Sequence, residues 1–165
     1  MKFLVTGGRG FIGSHFVEKC LDEGHKVIDI DFMTYAANIN LPFDNSERYE
    51  HIEKDIRTIT HLPTCDVLVN FAAESHVDNS INEPDVFAQT NIIGTQNLLN
   101  LVRGKTYGRP LFVHISTDEV YGSLDEQASF QKAFHIIQDH PILLQRRLVT
   151  IWLIPGITHM GYQLL

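Results

Sequence analysis

Three glycines at three-residue intervals constrain this chain more than any other feature. The segment Thr6-Gly7-Gly8-Arg9-Gly10-Phe11-Ile12-Gly13 follows a short apolar and β-branched run, Lys2 to Thr6, which reads as a buried strand. It precedes a stretch of helical spacing, in which Phe11, Ile12, Phe16, Val17, Cys20 and Leu21 recur, with Gly24 where a C-terminal cap belongs. A strand that turns straight into a helix through such glycines is suited to a diphosphate. Gly7 permits the tight turn, Gly10 lets backbone approach a pyrophosphate, and Gly13 lets the helix pack close to the strand. The free N–H groups and the positive end of the helix dipole then face the anion.

Glycine-rich turns are common, and the acid that follows gives this one its meaning. A second strand, Lys26 to Asp31, ends on Asp31, 18 residues past Gly13. Its carboxylate can accept hydrogen bonds from both hydroxyls of a ribose and would repel a 2′-phosphate, so NAD is expected rather than NADP. Arg9 adds a positive charge to the loop and keeps NADP as the alternative.

Further strands are expected over Tyr49 to Glu53, Asp66 to Phe71 and Leu111 to Ser116, with a long helix over Asp85 to Arg103 just after Pro84. Strands that alternate with helices and read as near-continuous apolar runs imply parallel pairing. The expected fold is a Rossmann-like, doubly wound parallel α/β sheet. At 165 residues the chain is long enough for one domain with a core and short for two. A net charge of −7 argues against a general nucleic-acid binder, which would carry a basic patch. The N-terminus is too short an apolar run for a signal peptide or a membrane span, so a cytoplasmic protein is expected. Cys20 and Cys65 have no metal-ligand spacing, no metal is expected, and the two read as reduced structural thiols.

Four further segments carry a resemblance. Asp31-Phe32-Met33-Thr34-Tyr35-Ala36-Ala37-Asn38, Phe71-Ala72-Ala73-Glu74-Ser75-His76-Val77-Asp78, Thr90-Asn91-Ile92-Ile93-Gly94-Thr95 and Ser116-Thr117-Asp118-Glu119-Val120-Tyr121-Gly122 lie in chain order behind the glycine turn. Together with the turn they resemble the dTDP-glucose 4,6-dehydratases of the extended short-chain dehydrogenase/reductase superfamily, over roughly residues 1–130. One departure is Asn79, where that family usually carries arginine.

The resemblance implies roles residue by residue. Gly7, Gly10, Phe11, Ile12 and Gly13 would hold the NAD diphosphate and Asp31 the ribose. Asp55 and Ile56 would border the adenine, Ala72 and Ala73 would line the cleft, and Asn91 would hold the strand ends beside it. Thr117 would hydrogen-bond the sugar 4-hydroxyl, Asp118 would protonate the leaving 6-hydroxyl, and Glu119 would remove the C5 proton. The reaction needs such a pair. Oxidation at C4 gives a ketone that acidifies the C5 proton, and water leaves across C5–C6 as one carboxyl gives a proton and the other takes one. Neighbouring carboxyls with separated pKa values can divide these tasks. His76 and Asp78 could touch substrate or simply pack within their loop. The resemblance also implies a nucleotide-sugar substrate and a homodimer.

The likeness stops near residue 131. Only one acidic residue, Asp139, lies beyond residue 130, out of 20 in the chain. The superfamily's Tyr-x-x-x-Lys, whose tyrosinate takes the 4-hydroxyl proton, does not occur. The genetic code nevertheless permits another string for residues 131–165, read from the third base of the Gln131 codon. It contains Tyr-Ser-Ala-Ser-Lys and resembles the missing family segment along its whole length. The chain thus divides into an NAD-binding domain, 1–130, and an atypical tail, 131–165, read as the product of a shifted reading frame that could form a helix and a strand. Within the tail, Leu148 to Ile154 is β-prone and uncharged, an aggregation hazard where exposed. The lobe that would bind the sugar nucleotide is expected to be missing, and with it activity. Two other functions stay open: a non-catalytic NAD-binding module, and a related sugar-nucleotide epimerase or decarboxylase, which is disfavoured by the Asp-Glu pair.

Overall fold

A computed structural model describes residues 1–75 and 83–116, together with the backbone pairing of Gln163 and Leu164. Strand β1 (Lys2–Thr6) leads through the glycine turn into α1 (Phe11–Asp22), and Gly24, at φ +83°, ends the helix in a left-handed turn. Then come β2 (Lys26–Asp31), β3 (Tyr49–Glu53) and β4 (Val67–Asn70). Next follow α2 (Pro84–Ala88), a π-helical segment (Gln89–Gly94), α3 (Thr95–Arg103) and β5 (Leu111–His114). A two-residue strand β6 (Gln163–Leu164) closes the sheet.

Among the described residues all the pairings are parallel, in the order β3-β2-β1-β4-β5-β6. The order reverses between β1 and β4, the doubly wound arrangement expected from the alternation of strands and helices. The sixth strand is not the one expected: Leu148 to Ile154 falls outside the described residues. β4 and β5 are each shorter than their apolar runs, because the chain leaves the sheet at Phe71 and Ile115. The ladder is continued only by the Phe71 N–H to Thr6 and the Ile115 N–H to Asn70.

Alternation along the strands sends successive residues to opposite faces. Leu4, Ile28, Leu68 and Phe112 face Leu98, Leu99 and Val102 of α3. Val5 and Val27 face Val17, Cys20 and Leu21 of α1. Helices therefore cover both faces. Both cysteines are buried and free, and burial first of all pushes each thiol up to about 11, so they sit as unreactive core groups at neutral pH.

The expected helix over 85–103 is present but interrupted. Pro84 opens it, where a missing N–H costs nothing. The wider π turn that follows turns Asn91 into the protein, and at Gly94 an added Cβ would come 2.6 Å from the Ile56 side chain. Single π turns of this kind concentrate at functional sites.

Candidate functional site

An open cleft of about 190 Å³ lies at the C-terminal ends of β1, β2 and β4, where the strand order reverses. In sheets of this kind ligands bind at that point. Of the residues singled out in the sequence, Gly7, Gly10, Asp31, Asp55, Ile56, Ala72 and Ala73 line it. Phe11 and Ile12 do not; they sit on the first turn of α1, 78% and 64% exposed. Gly13 and Asn91 are buried and do not line it. Thr117, Asp118 and Glu119, like His76 and Asp78, fall outside the described residues.

The turn is built by close backbone contact. Gly7 has φ +74°, and a Cβ there would come 2.7 Å from the Ala72 nitrogen. Its carbonyl oxygen accepts the Gly10 N–H at 3.2 Å. Gly13 presses against that same carbonyl, leaving no room for a side chain. Gly10 is the N-cap of α1, with no side-chain cap and no acid in the first turn. A helix start whose N–H groups lack a side-chain partner is fitted to an anion.

The acids around the cleft are held by the protein. Asp31 accepts the Arg9 N–H at 3.0 Å and the Met33 N–H at 2.9 Å, with Met33 in a left-handed conformation, φ +57°. Asp55 takes the Arg57 N–H at 2.8 Å and the Arg57 guanidinium at 2.7 and 2.6 Å. Burial pushes the Asp55 carboxyl up, but the Arg57 hydrogen bonds outweigh it and hold it below the usual carboxylate range. Asn91 is buried and clamps the chain after β4: its amide donates to the Glu74 carbonyl at 2.9 Å and accepts the Glu74 N–H at 2.8 Å. That pair fixes Ala72 and Ala73 as cleft wall.

Sequence reading missed the support beneath the turn. Asp29, fully buried on β2, accepts the Gly8 N–H at 2.9 Å and the Tyr49 hydroxyl at 3.0 Å. The signal was present: a charged residue in Lys26-Val27-Ile28-Asp29-Ile30-Asp31 on the same face as Val27. Burial, and then nearby Asp31, pushes the Asp29 carboxyl up to about 7, against the pull of its hydrogen bonds and Arg9. In the unfolded chain the group titrates near about 4. Between those two values the folded state holds a proton that the unfolded state has lost, so stability falls as pH rises and levels off above about 7. Asp44, held low first by its hydrogen bond to Arg9, and Asp55 act oppositely, and stability is lost as pH falls through their lowered values. Maximal stability is therefore expected at mildly acidic pH, and Asp29→Asn should flatten the decline toward neutrality. Urea unfolding across that range checks this; an unchanged slope in the variant contradicts it.

Residues 4–138 match the family described as GDP-mannose 4,6 dehydratase. The chain belongs to that family. Among similar proteins, the dTDP-glucose 4,6-dehydratase of Xanthomonas campestris pv. campestris (strain B100) is 43% identical, over 78% of this chain and 41% of its own length. That of Streptomyces niveus is 44% identical, with the same coverage, 78% and 41%. The chain thus spans about two fifths of the length of the curated relatives it matches. Among solved structures, the dTDP-glucose 4,6-dehydratase of Streptomyces venezuelae, determined with NAD bound, superposes with a TM-score of 0.87 at 38% identity, covering 99% of this chain and 54% of that one. The NAD complex of Thermus thermophilus UDP-glucose 4-epimerase gives 0.81 at 25% identity, covering 99% and 53%. The fold of the GDP-mannose 4,6 dehydratase family is thus the doubly wound sheet expected from the sequence. Among the described residues no helix is long and apolar enough to cross a membrane.

Proposed function

We propose that this chain is the NAD-binding part of a sugar-nucleotide 4,6-dehydratase acting on a dTDP-hexose, dTDP-glucose to its 4-keto-6-deoxy product. The cleft carries this reading: an uncapped helix start behind Gly7 and Gly10, a carboxylate at the end of β2, and walls of Ile56, Ala72 and Ala73. NAD, when bound, supplies the hydride acceptor and donor. Gly7, Gly10 and the N–H groups of Phe11, Ile12 and Gly13 would hold its diphosphate, with the exposed Phe11 and Ile12 side chains outside the cleft. Asp31 would take the ribose hydroxyls, and Asp55 with Ile56 would border the adenine. The names of the relatives, dTDP-glucose 4,6-dehydratases, support the choice of substrate.

Catalysis would belong to Thr117, Asp118 and Glu119, which follow Ser116 just past β5, in the roles given by their resemblance. Without a Tyr-x-x-x-Lys this chain would lack the base for the first step, and the tail from about residue 131 would be the product of a shifted reading frame; a division near there is supported by relatives that match about four fifths of the chain and a family match that runs to residue 138. Cytoplasmic location fits two free cysteines, and a homodimer is part of the same reading. The missing pair equally favours a second function, a binding module that holds NAD without turnover. Incubation with NAD and dTDP-glucose, on this chain and with the reading frame restored, separates them. Product from the restored protein supports the dehydratase, and NAD binding without product from either supports the module.

A further inference from the structure

Between β2 and β3 the chain runs from Phe32 to Arg48 without regular structure. Loops of this length are uncommon unless functional. Thr34, Ala36 and Ala37 of this loop form the cleft wall beside Asp31. Phe43 packs the far part of the loop into the core beside Val5, Val17 and Val27, and one polar side chain ties the stretch before it to the turn. The buried Arg9 side chain, 5% exposed, donates through Nε to the Asn38 carbonyl at 2.9 Å and through Nη2 to the Ile39 carbonyl at 2.7 Å. It also meets both oxygens of Asp44, at 2.8 and 3.0 Å, and donates to the Tyr49 hydroxyl at 3.2 Å. These contacts use all of the guanidinium's N–H donors. The Arg9 main chain completes the tie: its carbonyl accepts the Asn38 N–H at 2.8 Å and the Asn38 amide at 3.0 Å, while its N–H holds Asp31. The positive charge that kept NADP in play therefore points away from the cleft, into a bidentate pair with Asp44.

We propose that Arg9 is a positioning residue for the adenosine half of the cofactor, acting by clamping the 32–48 loop against the phosphate-binding turn. This rests on the NAD reading above. A loop that spends only part of its time closed weakens apparent affinity by the fraction closed. A bidentate, charge-assisted pair is the strong form of such a tie, and lysine cannot reproduce it.

The test compares Arg9→Ala and Asp44→Asn with Val102→Ala, a fully buried core truncation on α3, among residues clustered apart from this loop. Asp44→Asn leaves Arg9 in place and reports even where Arg9→Ala fails to fold. Two quantities are read: the NAD dissociation constant and, in the cofactor-free protein, amide exchange of Ala37, Asn38 and Ser46, whose N–H groups bond backbone carbonyls and not the Asp44 side chain. Arg9→Ala should weaken NAD binding about tenfold and Asp44→Asn about threefold, each by lowering the closed fraction. Both should speed exchange of the loop amides while leaving those of β4 unchanged, and Val102→Ala should move neither quantity. Unchanged loop exchange in both variants overturns the clamp. Faster exchange with unchanged NAD affinity, or equal weakening in Val102→Ala, overturns the positioning role. Failure of the unmodified chain to bind NAD, with the loop still loosened by Arg9→Ala, overturns the cofactor reading and the role that rests on it.

Discussion

Replacing Gly13 by alanine should cost more than any other change of one methyl group in the turn. The new Cβ would be driven into the Gly7 carbonyl oxygen and would lie 3.0 Å from the Gly7 carbonyl carbon and the Gly8 Cα. Neither side can give way easily. The Gly7 carbonyl is tied to the Gly10 N–H, and Gly7 itself sits against Ala72 in a left-handed conformation. The first turn of α1 must withdraw, and the N–H groups meant for the diphosphate withdraw with it. Overpacking of this kind costs about 1–3 kcal/mol, and about 1.4 kcal/mol lost from a binding site is a tenfold loss of affinity. Gly13→Ala is thus expected to lower the denaturation midpoint and weaken NAD binding by about tenfold or more. Gly104→Ala is the control. Gly104 has ordinary helical φ of −68°, and its nearest neighbour to an added Cβ is 3.4 Å away. It should leave NAD affinity unchanged. Chemical denaturation and an NAD titration on both variants check the contrast, and equal effects at the two positions would contradict it.

The second large effect concerns turnover. As it stands the chain has no tyrosine followed four residues later by lysine, so on the proposed function the 4-hydroxyl proton would lack its base. On the proposed frameshift, restoring the reading frame at codon 131 in the gene would supply Tyr-Ser-Ala-Ser-Lys downstream of Thr117, Asp118 and Glu119 in the sequence. A positioned general base contributes about 10²–10⁴-fold, so conversion of dTDP-glucose should rise by at least that factor. Sequencing the DNA across codon 131 checks the premise. Codons that cannot spell the shifted string sink it. Codons that do, with a restored protein that binds NAD and turns over nothing, favour the binding module.

Much of the fold could be read from local pattern. Glycine spacing marked the turn, and β1, β2 and β3 span the residues expected of them, although β3, Tyr49-Glu50-His51-Ile52-Glu53, holds only two apolar residues. The ends of β4 and β5 were harder: Phe71 and Ile115 are as apolar as a strand requires, and only the third dimension turns the chain out there. The π segment was invisible, since one extra residue in a helical run barely disturbs its periodicity. Within the site, Gly7, Gly10, Asp31, Asp55, Ile56, Ala72 and Ala73 come together at one cleft. Phe11 and Ile12 stand outside it, exposed, because a helix start contributes its N–H groups rather than its side chains. Arg9 was misread for a physical reason. Its partner Asp44 lies 35 residues away in a loop without periodicity, and nothing local says that the guanidinium turns inward. Asp29 was passed over in the same way, its partners being a backbone N–H and a tyrosine on the next strand.

A calorimetric titration of the unmodified chain with NAD and with NADP tests the central claim most directly. The expected result is binding of NAD at one site per chain, with NADP at least about tenfold weaker because its 2′-phosphate would meet the Asp31 carboxylate. Binding of neither dinucleotide, or tighter binding of NADP, would contradict the cofactor site on which the rest depends.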